Sequence, residues 1–192
     1  MDGIDGIAGV QAIAAGIGWL IVGILLDLPV AIIVGGVTMS ASAGFLIHNW
    51  QPAKIFMGDA GSAFLGFTFA AMPFLIRNQL NENTGYLPIV SILFVWLFVF
   101  DSVATFFSRL MRGEKVWHAH RKHIYQKLVI SGRSHQYVTS FYGLLAIVIA
   151  VPTAFALSGF LSLENTILPV TALSTLFLLV MSYRSHTVSK PE

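Results

Sequence analysis

Three clusters of polar side chains have residue types and spacings that could do chemistry. The first is Asp2-Gly3-Ile4-Asp5-Gly6-Ile7-Ala8-Gly9, where two carboxylates stand three residues apart, among glycines, at the head of an apolar run. Paired carboxylates at a water boundary suit Mg²⁺, a hard cation that takes oxygen ligands and bridges to substrate phosphates. A simpler use is also open, with Asp5 as a helix cap and Asp2 as a solvated charge. The second cluster is Lys54-Ile55-Phe56-Met57-Gly58-Asp59-Ala60-Gly61-Ser62, again just before an apolar run. Gly58 and Gly61 permit close backbone approach, the N–H groups at the start of the following helix favour phosphate, and Asp59 could complete a metal or nucleotide site. The plainer alternative is that Asp59 or Ser62 is an N-cap.

The third cluster is the loop from Arg109 to His135, with His118, His120, His123 and His135 among Arg112, Lys115, Arg121, Lys122, Lys127 and Arg133. Imidazoles mixed with cations suit a diphosphate or a lipid phosphate, because Arg and Lys neutralise the charge that develops in phosphoryl transfer. Two other readings stay open. The segment could rest on anionic lipid headgroups. It could also bind zinc, although His118 and His120 have no Cys nearby and the flanking cations would repel a metal. One acidic residue lies apart, Asp101, within an apolar run. An ionisable group at such depth is expensive and usually faces a bundle interior or a water-filled cavity. It either helps shape a site or pairs with Thr105 or Arg109 for packing alone.

These clusters must be positioned by helices in a membrane. The hydrophobic fraction of 56%, the charged fraction of 10% and the mean hydropathy of +0.77 exceed what the core of a soluble domain this size needs, so the excess faces lipid. Runs of about 20 apolar residues, the length of a span, recur near 7–26, 28–48, 60–76, 86–107, 138–159 and 163–183. The first has no basic leader or small-residue cleavage site, so it reads as a working helix rather than a removable signal. The expected fold is all-α: a polytopic membrane helical bundle of about six spans, one domain over residues 1–192.

Alternating the interhelix segments across the bilayer puts Lys54, Arg109, Arg112, Lys115, Arg121, Lys122, Lys127, Arg133, Arg184 and Lys190 on one side and Arg77 on the other. Short loops rich in Lys and Arg stay in the cytoplasm, so the first side and both termini are expected there. The three clusters fall on that same side. Asp27-Leu28-Pro29 and the stretch around Gly159 to Glu164 read as short outer hairpins, and Arg77 to Gly85 as a polar outer connection. With no Cys, neither disulfides nor thiol chemistry is possible. A net charge of +2, despite a pI near 9.0, gives no case for nucleic acid.

On these residues the chain resembles the polyprenyl-phosphate N-acetylhexosamine-1-phosphate transferases, glycosyltransferase family 4. Asp2-Gly3-Ile4-Asp5-Gly6 is similar to the family's DGxDG motif, and Phe56-Met57-Gly58-Asp59-Ala60-Gly61-Ser62 to its FMGDxGS motif. His120-Arg121-Lys122-His123-Ile124-Tyr125-Gln126 resembles its histidine loop, as found in the O-antigen and exopolysaccharide branch. The resemblance implies transfer of a sugar 1-phosphate from a UDP-N-acetylhexosamine to a polyprenyl phosphate lipid such as undecaprenyl phosphate, releasing UMP with Mg²⁺ as cofactor. It implies catalytic roles for Asp2, Asp5, Asp59 and His123 and metal ligation by Asp2 and Asp59. Substrate binding would fall to Lys54, Gly58, Gly61, Ser62, His120 and Arg121. The implied location is the bacterial inner membrane, with the active face cytoplasmic.

Two departures qualify the match. Family members carry further spans and an aspartate-rich DDxxD motif upstream of the DGxDG segment, so the chain reads as the C-terminal part of a larger transferase, working as a homodimer or with a missing N-terminal half. Tyr125 and Gln126 stand where some branches have His, which leaves open the group that meets the phosphates. The alternatives from other classes are a catalytically silent membrane scaffold or regulatory partner, and a small transporter with a cytoplasmic anion-binding mouth. The paired broken helices expected of such a transporter are not evident in the sequence.

Overall fold

A computed structural model describes residues 3–80, 85–115 and 123–188, and among them there is helix and no sheet. The helices are α1 (Ile7–Leu25), α2 (Pro29–Asn49), α3 (Gly58–Ile76), α4 (Leu87–Phe94), α5 (Trp96–Met111), α6 (Ile124–Ile130), α7 (His135–Leu157) and α8 (Leu163–Val188), with a 3-10 turn at Arg77–Gln79 after α3. Four of these, α1, α2, α3 with its 3-10 extension, and α7, are long and apolar enough to cross a membrane, and α4 with α5 makes a fifth if the bent pair is one span. The sixth expected run lies in α8, whose apolar stretch Asn165–Val180 is shorter than the others.

Helix α1 is the centre of the bundle, packed between α2 and α7. In lipid, helices associate by close packing rather than by a hydrophobic drive, and small residues let backbones approach. Gly35 shows this: a Cβ there would lie 2.6 Å from the Leu20 backbone nitrogen and 2.8 Å from the Gly16 carbonyl oxygen. The outward faces of α2 and α3 carry exposed Ile33, Val37, Phe64, Phe67 and Phe74, the surface expected against lipid tails.

Two irregularities are each repaired from a neighbouring helix. Pro73 lies inside α3 and has no N–H to give the Phe69 carbonyl four residues earlier. Ser91 Oγ of α4 donates to that carbonyl instead. The expected span at 86–107 is broken at Val95, where α4 and α5 meet at 82°. The Phe98 N–H turns to Val95 O at 3.1 Å, leaving Phe94 O without its helical donor. The Gln11 side-chain amide of α1, 5% exposed, donates to Phe94 O at 2.7 Å. A carbonyl freed in an apolar interior has no water to turn to, so this amide is what allows the break.

Candidate active site

The first cluster is held by backbone geometry. Gly6 precedes α1 with φ of 78°, a left-handed conformation that costs glycine nothing. Its N–H donates at 2.9 Å to Asn49 Oδ1 at the end of α2, and Asn49 Nδ2 donates at 2.7 Å to the carbonyl of Ile55. Asn49 is 0% exposed, so one buried amide ties the Asp5 segment to the strap that leads to Asp59. The start of α7 holds Asp5 from the other side. Thr139 Oγ1 donates to the Asp5 carbonyl at 2.6 Å, and the Asp5 N–H donates to His135 Nδ1 at 3.3 Å. The Asp5 carboxylate accepts from the Ala53 N–H at 3.3 Å and stands 3.4 Å from His135 Nδ1. These last contacts use opposite states of Nδ1: unprotonated it accepts from the Asp5 N–H, and protonated it pairs with the carboxylate. Gln136 and Gln51 bind each other's chains through the Gln136 N–H to Gln51 Oε1 at 2.9 Å and Gln136 Nε2 to Gln51 O at 3.0 Å, pinning the strap to α7.

The third cluster meets the first at the same end of the bundle. The expected loop from Arg109 to His135 contains a helix, α6, and its last residue begins α7. His123 N-caps α6, its N–H donating to Gln126 Oε1 at 3.3 Å. Its ring stacks on Tyr125 at 5.5 Å and 8°, and Tyr125 packs edge-on against Tyr142. Gly3 lies directly against this helix: a Cβ there would stand 2.6 Å from Gln126 Nε2 and 2.9 Å from Tyr125 Oη. Asp101 is buried beneath, accepting the Ile124 N–H with both oxygens at 2.9 and 3.1 Å and the Thr105 hydroxyl at 3.1 Å. Of the two partners considered from sequence, Thr105 is therefore one, whereas Arg109 pairs with Glu114 at 3.1 Å.

The second cluster forms the head of α3. Gly58 has φ of 67°, and Asp59 lies exposed in the first helical turn, where the helix dipole favours a carboxylate. Ser62 Oγ donates to the Asp59 carbonyl at 3.2 Å, so its hydroxyl faces the helix's own backbone. Gly61 gives Met57 room, since a Cβ would fall 2.5 Å from Met57 Cγ. Lys54 is exposed, and its N–H donates to His48 O at 2.8 Å. From Ser62, an apolar cavity of about 560 Å³ runs between α1, α3, α4 and α5, lined among others by Ala8, Gln11, Phe69, Phe74 and Phe98.

Among the described residues no group of three or more His, Cys, Asp or Glu is placed to hold a metal. Mg²⁺ needs fewer, since it keeps several waters and is usually held by one or two carboxylates plus substrate phosphates. Asp59, an exposed carboxylate, has the right donor chemistry. Asp5 is already engaged, its side chain 18% exposed and turned to Ala53 and His135. Asp2, His120 and Arg121 lie outside the described residues. Asn49, Thr139 and the pairing of His135 with Asp5 carry no local motif. Their sequence signal is a polar residue at the very end of an apolar run.

Residues 1–77 match the family model described as glycosyl transferase family 4. The chain is 30% identical over 142 residues to a probable undecaprenyl-phosphate N-acetylglucosaminyl 1-phosphate transferase of Bacillus subtilis, an alignment covering 71% of this chain and 37% of that protein. It is 31% identical over 158 residues to the decaprenyl-phosphate N-acetylglucosaminephosphotransferase of Mycobacterium tuberculosis, covering 72% and 38%. Over 81 residues it is 43% identical to a phospho-N-acetylmuramoyl-pentapeptide-transferase of Chlamydia muridarum, covering 41% and 24%. The chain is thus homologous, at moderate identity, to polyprenyl-phosphate N-acetylglucosamine-1-phosphate transferases, and the matched region spans little more than a third of the first two relatives. No solved structure matches it significantly.

Proposed function

We propose that this chain supplies active-site residues to a transferase of the bacterial inner membrane that moves N-acetylhexosamine 1-phosphate from a UDP-sugar to a polyprenyl phosphate. An oxygen of the lipid phosphate attacks the phosphorus that bears the sugar. The bond from that phosphorus to the bridging oxygen breaks, and UMP leaves with the bridging oxygen. Little covalent chemistry falls to the protein in such a transfer, and the catalytic work is positioning and charge stabilisation. His123, with the basic residues around it, meets the diphosphate, and the N–H groups at the head of α3 face its oxygens. The apolar cavity beside Ser62 takes the first part of the lipid tail. Asp59 and Asp2 would hold Mg²⁺, which would supply positive charge against the diphosphate and the departing nucleotide. The Lys and Arg distribution supports a cytoplasmic location for this face and for both termini.

One observation carries the reading. The Asp5 segment packs against the third cluster, Gly3 on Tyr125 and Gln126, and is tied to the second through Asn49, which bridges Gly6 and Ile55, and through Ala53 just before Lys54. Segments far apart in sequence that share only packing roles would not need to meet at one water-facing end with their polar groups. The test is UMP release from UDP-N-acetylhexosamine and polyprenyl phosphate by the protein in its own membrane. Asp59→Asn and His123→Ala are each expected to lower turnover by about a hundredfold or more, and chelation of divalent ions to stop it. Turnover unchanged in both variants would overturn the assignment in favour of a silent scaffold.

A further inference from the structure

Helix α5 carries one polar stripe. Asp101, Thr105 and Arg109 recur every four residues, so they share a face, and they are 1%, 5% and 5% exposed. Each end of the stripe holds one end of the segment between α5 and α6. Arg109 binds the Glu114 carboxylate at 3.1 Å and the Lys115 carbonyl at 2.6 Å as the segment leaves. Asp101 takes the Ile124 N–H with both oxygens at 2.9 and 3.1 Å where it returns, and Asp101 Oδ1 stands 3.4 Å from His123 Nδ1.

We infer that Asp101 is a positioning residue that acts through His123. This rests on the reading above for what His123 does, but the placement itself is independent of it. An N-cap for a helix of seven residues requires one acceptor, which an amide or hydroxyl supplies without burying a charge. A carboxylate 1% exposed is an expensive choice for that task alone. Beside an imidazole it does more, because a negative charge 3.4 Å from Nδ1 favours the ring orientation and tautomer that turn an N–H toward it. Thr105 in turn orients the carboxylate, donating to Oδ1 at 3.1 Å.

Asp101→Asn separates the two tasks, since the amide oxygen still accepts from the Ile124 N–H while the charge facing Nδ1 is lost. In the protein in its own membrane, this variant is expected to keep the Ile124 amide protected from exchange and the KM for UDP-sugar close to the parent value. Its kcat should fall about ten- to a hundredfold, the scale on which removing the partner that orients a metal-bound histidine acts. Combined with His123→Ala, it should add no further loss, because groups acting through one another are not additive. A parent-like kcat in Asp101→Asn, or a full additional loss in the double variant, would overturn the inference and leave Asp101 a general support of the fold. If His123→Ala alone turned over normally, the role given to His123 in the proposed function would be at fault. The imidazole nitrogen shifts of His123 then decide: a change in Asp101→Asn upholds the positioning, and unchanged shifts refute it.

Discussion

Replacing Asn49 with alanine removes a side chain that holds the first cluster with its oxygen and the strap to the second with its nitrogen. Gly6 is buried, and its N–H then has no partner within reach, at a cost of about 1–3 kcal/mol for an unsatisfied buried donor. The Ile55 side costs less. Ile55 is 42% exposed, so water can reach its carbonyl, and the net loss there is about 0.5–1.5 kcal/mol. Together the change weakens this end of the bundle by roughly 2–4 kcal/mol. With each 1.4 kcal/mol worth a factor of ten, the Gly6 amide should exchange about thirtyfold faster or more. Hydrogen exchange read by mass spectrometry on the protein in lipid nanodiscs measures this directly. Asn49→Asp is the informative companion, because it keeps an acceptor for Gly6 but turns a second acceptor toward the Ile55 carbonyl. In that variant Gly6 should stay protected while residues 53–57 loosen. Wild-type protection of Gly6 in Asn49→Ala would refute the claim that one buried amide joins the two clusters.

Gln11→Leu leaves a side chain of similar size but strips the donor from Phe94 O at the α4–α5 break. It should cost about 1–3 kcal/mol in stability to unfolding in mild detergent, and a variant as stable as the parent would show that the break is held in another way. Gly3→Ala drives a methyl into Gln126 and Tyr125 and should lower turnover about tenfold, on the scale of 1–3 kcal/mol for overpacking a close contact. Adding Gln126→Ala should restore most of it. No recovery in the double variant would mean that Gly3 is needed for some other reason.

The long helices could be placed from hydropathy because lipid boundaries are also composition boundaries. The runs at 7–26, 28–48 and 138–159 correspond to α1 (Ile7–Leu25), α2 (Pro29–Asn49) and α7 (His135–Leu157), and the hairpin at Asp27 to Pro29 lies where it was expected. The break at Val95 was hidden, because the residues around it are apolar and neither Gly nor Pro marks it. Its signature was one amide, Gln11, more than eighty positions away on another helix. In the site, Asp101 announced itself by its cost, but the N–H and the imidazole it faces, those of Ile124 and His123, arrive more than twenty residues later. His135 read as one more imidazole of a basic loop, whereas the fold sets it against Asp5, 130 positions earlier. Residue type showed which side chains needed partners, and packing chose them.

The most direct test of the central claim, that the polar clusters meet on one face of the membrane, is the sidedness of Asp59 and His123. The chain has no cysteine, so Asp59→Cys and His123→Cys each give a single thiol on a silent background. An impermeant thiol reagent applied to right-side-out and inverted vesicles should label both positions from the cytoplasmic side alone. Labelling of the two from opposite sides would contradict the shared site and, with it, the proposed transfer.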